Sequence, residues 1–575
     1  VRDRSKFRHP EYIDLLDDII KSENNFGLSG AQLAVYKDGN LIKNDGYGYT
    51  NNYKNLYDEN GNVIFDKYEV LPKDERTPVT TDTLFDLASN TKMYSTVFAL
   101  QKLVSEGKVS LDTKISEIFP EFLEYTNDNN WKDNIDLRMV LSHVAGFAPD
   151  PQYHNENFDR VDQIPNGKND LYSQEKSTTF DMIMRTPLQT EPDTDWAYSD
   201  ADFMLAGFIV EKLTGVPLDQ YVKENIYEPL GLNRITYNPL QNGFNKDELS
   251  SSELNGNTRG GRIKFNNVRT EIVSGEVHDE KAYYSMGGSS GHAGLFGSAQ
   301  QIAYLAQAML YDGNLNGVEL FNKETIDQFT EKSDNLATQA KGGWRRKSEQ
   351  GGAAVWYSKF APAGTIGHTG WTGTNTMIDK ENKITLSLNT NARNTPMMGD
   401  ADSFYTKNSN VSSYGLVSEL IYRGLGLADG TSVDEVLMNI INAEIDGDYN
   451  GAAPSKRNVI RSLIKVLEKR SVNNEVLLEF LNSDKIQNIK KDLRNTESED
   501  LEKVALLCKS PEPEQPENPK DPEEPEQPEE PKLHEAKGYI IGTTNVRISP
   551  NGPVIGTLER EAIVEGEYEE GSDWV

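Results

Sequence analysis

Two hairpin signals at opposite ends of one long stretch constrain this 575-residue chain more than any other feature. The first is Lys37-Asp38-Gly39-Asn40, set between the apolar runs 31–36 and 41–44. Asp-Gly between such runs favours the positive backbone angles of a tight hairpin turn. The second is 379–383, set between 376–378 and 384–388. Residues 10–22 read as a helix, and further helical patterns fill the space between the hairpins. Strands arriving from both ends are most economically satisfied by one shared antiparallel sheet. No Gly-x-Gly-x-x-Gly follows a strand, and no parallel strand–helix rhythm is present, which argues against a dinucleotide fold. The expected class is α+β, an antiparallel sheet flanked by helices.

The texture changes after residue 428. Residues 429–509 are nearly free of glycine, and Ile460, Leu463, Ile464 and Leu467 follow the i, i+3, i+4, i+7 rule, which predicts a small helical domain. Residues 510–536 follow as a Pro/Glu-rich linker. Ten acidic and two basic residues fall within 510–535, a quarter of the net charge of −32, together with eight of the 25 prolines. Proline at nearly every third position and repelling carboxylates favour an extended spacer; a ligand for a proline-motif reader is the alternative. Residues 537–575 contain four short apolar runs broken by Gly542, Pro550-Asn551-Gly552 and Glu565-Gly566, the pattern of a small β-barrel. The acidity disfavours a nucleic-acid partner. One cysteine, Cys508, rules out an internal disulfide and a thiolate zinc cage.

Three segments carry candidate chemistry. Ser89-Asn90-Thr91-Lys92 opens a predicted helix with Met93, Val97, Leu100 and Val104 on one face and Gly107 at its end. Ser89 falls where free amides favour developing negative charge, and Lys92, three residues on, stands beside it. A hydroxyl needs a neighbouring base, and a lysine serves if burial or another cation lowers its pKa. The plain reading is a serine helix cap with a surface lysine. Tyr198-Ser199-Asp200 precedes the apolar helix 203–213, so its phenol can point into a cleft and shuttle a proton. His368-Thr369-Gly370, followed by Trp371, leads into the second hairpin. Gly370 permits close approach of a substrate, and the amides of Ser89 and Trp371 are candidates for an oxyanion hole. A core tyrosine and a half-buried histidine are the plain alternatives.

Together these elements resemble the serine β-lactamase-like hydrolases, the penicillin-recognising family that includes class C β-lactamases and D,D-carboxypeptidases. The resemblance covers nearly all of residues 1–428. It extends to residues 84–88, 139–147, 227–232 and 291–296. It implies an all-helical subdomain beside the sheet, an acyl-enzyme on Ser89, Lys92 as its activating partner and Tyr198 as general base or shuttle. Asp200, His368, Thr369, Gly370 and Trp371 would bind substrate. Two positions depart from the family pattern. Asp200 stands where asparagine is common, and a carboxylate only accepts hydrogen bonds; paired with Lys92, it would raise the lysine's pKa and favour Tyr198 as base. His368 stands where lysine is common, which removes a fixed cation.

The expected function is D-alanyl-D-alanine carboxypeptidase or related D-amino-acid peptidase activity on cell-wall peptides. A D-alanyl esterase or β-lactamase on the same site, and a catalytically weak wall-binding or penicillin-sensing protein, are the alternatives. β-Lactams are expected acylating ligands; no cofactor or metal is expected. Residues 537–575 resemble an incomplete bacterial Src-homology-3-like module, with peptidoglycan as its implied partner. The expected location is extracellular or wall-associated, the sequence from Val1 showing no signal-type stretch. Gly287-Gly288-Ser289-Ser290-Gly291 fits Gly-x-Ser-x-Gly but lacks the strand and helix of a nucleophile elbow, and reads as a mobile loop at the cleft rim. His143, His278, His292 and His368 lack metal-site spacing and read as structural.

Overall fold

The computed structural model describes residues 4–125, 129–162, 164–399 and 403–508, and the strand segments 533–539, 544–547, 554–558 and 563–569. The elements that position the site begin with α1 (Pro10–Asn25), β1 (Gly30–Lys37), β2 (Asn40–Gly48), α2 (Phe98–Ser105), α3 (Asp200–Thr214) and α4 (Ala299–Ala306). They continue with β3 (Arg345–Arg346), β4 (Ile366–Gly370), β5 (Thr374–Asp379), β6 (Ile384–Thr390) and α5 (Gly415–Gly424). Four helices follow: α6 (Val433–Asp446), α7 (Pro454–Ser471), α8 (Glu475–Leu481) and α9 (Asp484–Cys508).

Both hairpins form where the turn chemistry places them. Asp38 and Gly39 take φ of +50° and +81°, the positive pair that a two-residue turn requires. The sheet runs β3-β4-β5-β6-β1-β2, every neighbour antiparallel. Its closing pair is β1 with β6, from Ala31 opposite Thr390 to Lys37 opposite Ile384. Strands from the two ends of the stretch therefore meet in one sheet, as its hairpins predict.

Two cores lie on either side. One gathers Met93, Phe98, Leu141, Phe203, Ile209, Leu295 and Trp344 among the helices that bear the candidate site. The other lies under α1 and joins Leu16, Ile20, Leu33 and Leu388 to Leu420, Leu437, Ile460, Leu463 and Leu467. The second core corrects the expected division at residue 428. Residues 429–508 are helical, but they share a core with α1 and the sheet, and Val1–Ser510 is one compact unit. Arg470 and Lys469 of α7 grip Asp18 of α1, and the two helices also meet through Ser22 and Ser462.

Pro511–Val575 forms a second unit. Its described strands, Leu533–Tyr539, Thr544–Arg547, Val554–Leu558 and Ile563–Glu569, pair first with fourth and second with third. Nearly all of the spacer, the turns of the expected barrel and Trp574 lie outside the described residues.

Glu23 ties α1 to the loop before α5. Its buried carboxylate receives N–H groups from Asn410 (2.8 Å) and Val411 (3.4 Å) and the Ser409 hydroxyl. Burial outweighs these donors and, with Glu444 nearby, pushes its pKa up to about 7 from 4.5. The folded protein thus holds this proton more tightly than the unfolded chain. Its contribution is complete below about pH 4.5 and is lost as pH rises through about 7, an effect on the order of 3 kcal/mol. Melting curves from pH 4.5 to 8 should show wild type losing stability across that window and Glu23→Gln losing much less. Parallel curves would mean that Glu23 is ionised throughout.

Candidate active site

Between Thr83 and Gln101 every residue is buried except Ser89, which is half-exposed. The backbone that presents it is strained. Ala88 takes φ +46°, a left-handed value unusual for a residue with a Cβ, and the Asp86 carboxylate accepts its N–H at 2.8 Å. The sheet holds this turn in place. Thr372 donates to the Asp86 carbonyl (2.7 Å) and Thr374 to the Leu87 carbonyl (2.9 Å). Asn90 donates to Thr374 (3.0 Å) and accepts from Thr376 (2.8 Å). A Cβ on Gly370 would stand 2.6 Å from the Leu87 carbonyl oxygen, so only glycine lets the end of β4 lie against the serine turn. The predicted helix begins with a tight turn at Ala88–Asn90, widens to π-type turns over Lys92–Val97 and becomes α-helical at α2. Such widened turns recur at functional sites.

Lys92 is fully buried. Its ammonium donates to Ser89 Oγ (3.0 Å), Asp200 Oδ1 (3.0 Å) and the His292 carbonyl (3.1 Å). Three N–H groups thus meet three acceptors. Burial alone would push Lys92 towards neutrality, but the Asp200 carboxylate and the Tyr198 phenol outweigh it and hold the pKa above the ordinary value. The sequence left open whether Lys92 is depressed or raised, and the geometry decides for raised. Tyr198 presents its ring to the same ammonium, 4.9 Å away. Its phenol oxygen is buried and, among the described residues, accepts and donates no hydrogen bond.

Asp200 opens α3. Its second oxygen lies 3.3 Å from Lys281 Nζ. Despite burial, Lys92, Lys281 and His292 hold its carboxyl far below the usual carboxylate range. Among the described residues, Asp200, Asp279 and His292 are the one group whose potential metal-ligand atoms lie within 4.8 Å of one another. Lys281 Nζ is 3.3 Å from Asp200 and 3.7 Å from Asp279, so an ammonium of the chain itself meets that negative charge.

The third segment is where the hairpin predicts. The short β3 covers only Ile366 and Gly367, so β4 is an open edge from His368 onward. Burial, with Arg345 and Lys92 nearby, pushes the His368 pKa well down, and the imidazole is neutral. The cation comes from the neighbouring strand instead. The Arg345 guanidinium donates to Thr369 Oγ1 and lies 5.1 Å from the Tyr198 ring. Trp371 is flanked by the guanidinium groups of Arg393 (4.2 Å) and Arg259 (4.6 Å).

The fold brings Ser89, Lys92, Tyr198 and Asp200 together, with His368 beside Tyr198 and Thr369 beside Arg345. Sequence reasoning missed Lys281 and Arg345, which lie in no motif. His143, which the sequence reads as structural, packs its ring tilted against Tyr198, centroids 4.6 Å apart, and meets Asp202 through Nδ1 at 2.9 Å. The loop at Gly287–Gly291 is corrected as well. Gly291 is buried, its carbonyl accepts from Thr96 at 2.7 Å, and the adjacent His292 carbonyl holds Lys92, so this segment forms the floor of the site.

The β-lactamase family model matches residues 16–408. The chain is 41% identical over 421 residues to an Escherichia coli (strain K12) protein named "Putative D-alanyl-D-alanine carboxypeptidase", covering 72% of this chain and 91% of that one. A protein of the same name from Salmonella agona (strain SL483) is 41% identical over 414 residues, covering 71% and 90%. The octameric penicillin-binding protein homologue from Pyrococcus abyssi is similar at 20% identity and a TM-score of 0.49, covering 75% of this chain and 81% of that one. With its serine, lysine and tyrosine gathered at the edge of an antiparallel sheet, this chain belongs to the β-lactamase family of serine hydrolases.

Proposed function

We propose that the chain is a D-alanyl-D-alanine carboxypeptidase of the penicillin-binding type, acting on cell-wall peptides through an acyl-enzyme on Ser89. One observation carries the reading: Ser89 Oγ stands 3.0 Å from the buried Lys92 ammonium, whose three N–H groups are all directed at acceptors. An ammonium so engaged orients the serine but cannot take its proton. Tyr198, whose buried phenol oxygen has no hydrogen-bond partner among the described residues and whose ring faces the same ammonium, is the acceptor in this reading.

Ser89 Oγ attacks the scissile carbonyl carbon as its proton passes to Tyr198. The Ser89 and Trp371 amides hold the carbonyl oxygen as charge develops on it. The C–N bond then breaks, and Tyr198 returns the proton to the leaving D-amino-acid nitrogen. Water repeats these steps to release the acyl group. Arg345, beside Thr369, is positioned for the terminal carboxylate of the leaving residue, and its bond to Thr369 uses one of five N–H donors. That cation favours a peptide ending in carboxylate over a neutral ester. The names borne by the Escherichia coli and Salmonella relatives support the same substrate class. An extracellular or wall-associated location and wall binding through 537–575 belong to this proposal, supported by the substrate chemistry and the spacer composition.

His143 and Asp202 orient Tyr198 from behind. The Ser199 N–H points at His143 Nδ1 (3.2 Å), so Nδ1 is an acceptor. Burial, reinforced by Asp200, pushes the Asp202 pKa well up, and its protonated carboxyl donates to the same nitrogen.

Three outcomes test the proposal. A fluorescent penicillin should form an adduct one ligand heavier with wild type and none with Ser89→Ala, which should also lose at least about 10³-fold in peptide hydrolysis. Undiminished hydrolysis in that variant would remove Ser89 from the reaction, and a permanent adduct without peptide turnover would favour a sensing role. Arg345→Ala should raise KM for a D-Ala-D-Ala peptide by about 10- to 100-fold while sparing a neutral ester; equal losses on both would dissociate Arg345 from the carboxylate. Asp202→Asn, which still donates, should stay within about 1 kcal/mol of wild type, whereas Asp202→Ala should lose about 1–3 kcal/mol. Equal destabilisation by both would mean an ionised Asp202.

A further inference from the structure

Asp200 is one carboxylate shared by two buried ammonium groups, Lys92 on Oδ1 at 3.0 Å and Lys281 on Oδ2 at 3.3 Å. The side chain of Lys281 is only 2% exposed. Its ammonium also faces Asp150 (2.5 Å), Asp279 (3.7 Å) and Glu280 (3.7 Å). Asp279 in turn meets His292 Nε2 at 2.6 Å, and His292 meets Ser290 Oγ through Nδ1 at 2.7 Å. Because the His292 carbonyl accepts from Lys92, the contacts close into a ring: Lys92, Asp200, Lys281, Asp279, His292 and back to Lys92. On its other side Lys92 faces Ser89 and the Tyr198 and Phe203 rings, and its charge, with that of Arg345, helps keep His143 and His368 neutral.

We propose that Lys281 is a positioning residue for acylation: it takes one oxygen of Asp200 and divides that carboxylate's charge between two cations. The pair then behaves towards Lys92 as a neutral, oriented acceptor, much as the asparagine common at this position would. A carboxylate given wholly to Lys92 would draw the ammonium away from Ser89. A second ammonium without the carboxylate would leave Lys92 with no anionic partner and a cation beyond it, while Lys281 kept Asp150, Asp279 and Glu280. Asp200 and Lys281 therefore form a co-dependent unit, which is why the departure at Asp200 leaves the site intact. This rests on the reading that Ser89 is acylated beside a cationic Lys92.

The test is a double-mutant cycle read as a pH profile on the full chain. Acylation by a fluorescent penicillin and hydrolysis of a D-Ala-D-Ala peptide would be followed from pH 5 to 10 in wild type, Asp200→Asn, Lys281→Gln and the double variant. Activity that requires the Lys92 ammonium falls as pH rises through its pKa. Wild type, with Lys92 raised, should hold its rate to the alkaline end. Asp200→Asn removes the carboxylate that the two ammonium groups share and that raises Lys92, while the Lys281 cation stays, so its alkaline side should collapse. The double variant removes the repelling cation as well and should recover at least roughly tenfold over Asp200→Asn at pH 9, a non-additivity expected of groups in contact. Lys281→Gln alone should be slower than wild type without an alkaline collapse, and Lys281→Arg should keep the wild-type profile.

Losses that multiply, with no alkaline recovery in the double variant, would reduce Lys281 to a structural role and overturn the proposal. If Lys281→Gln does not fold, Asp200→Asn carries the test, since an unchanged alkaline limb there overturns it equally. A wild type that forms no Ser89 adduct at all would overturn the underlying reading instead, so the two failures are distinguishable.

Discussion

The buried ammonium of Lys92 sets the terms for everything around it. Removing an isolated charge from water costs several kcal/mol even after relaxation, and only close, well-directed partners offset it. Here one partner is local and two are distant in the chain: Ser89 from the same turn, Asp200 from the start of α3, and the His292 carbonyl from the segment after Gly291. None can move far without leaving the ammonium uncompensated. The charge is thus less a source of stability than a demand for one arrangement, and a serine hydrolase needs such an arrangement around its nucleophile. The demand propagates outward, because Asp200 brings Lys281, and Lys281 brings Asp150, Asp279 and Glu280.

The sheet answers a different requirement. Ser89 must be accessible although its flanks are buried on both sides, and the left-handed Ala88 is the local cost of lifting it out. Three threonine hydroxyls from the turn after β4 and from β5 satisfy the backbone and the Asn90 side chain at this point. The edge strand that would receive the substrate is therefore the same structure that holds the strained turn. The proposed binding edge and the serine turn rest on one hairpin, β4–β5, which pairs with β6, and β6 pairs in turn with β1 from near the chain's beginning.

What was legible in the sequence was what is local. Asp38-Gly39 announces its turn because the required backbone angles belong to those two residues. Ser89 and Lys92 announce a site because one helical turn brings them together. Lys281 and Arg345 announce nothing: Lys281 follows two acidic residues and Arg345 opens an Arg-Arg-Lys run, both indistinguishable in sequence from solvated surface charge, while partners such as Asp150 lie far away in the chain. The glycines before His292 misled because glycine-rich text resembles an exposed loop. In the fold Gly291 serves close packing, a Cβ there meeting the Phe203 carbonyl at 2.1 Å and the backbone of Gly207 at 2.8 Å, while Gly287 stays exposed. The helices after residue 428 show the same limit. Periodicity reveals that Ile460, Leu463 and Leu467 form an apolar face, but not that α1 covers it.

The net charge of −32 is at odds with a site proposed to receive a carboxylate only if charge is averaged over the chain. Charges in water are screened over roughly 8 Å at physiological ionic strength, so a substrate at the edge of β4 responds to what stands beside it. A quarter of the net charge belongs to the Pro/Glu spacer, and carboxylates elsewhere are paired, as Asp18 is with Lys469 and Arg470. The edge itself is lined differently: Arg345 at Thr369, then Arg259 and Arg393 on the faces of Trp371. Guanidinium groups stacked on aromatic rings keep their planes fixed and lose little freedom when a carboxylate arrives. A strongly acidic protein can therefore present a cationic strip to an anionic peptide end. The neutral His368 does not leave the cleft without positive charge, because the adjoining strand supplies it.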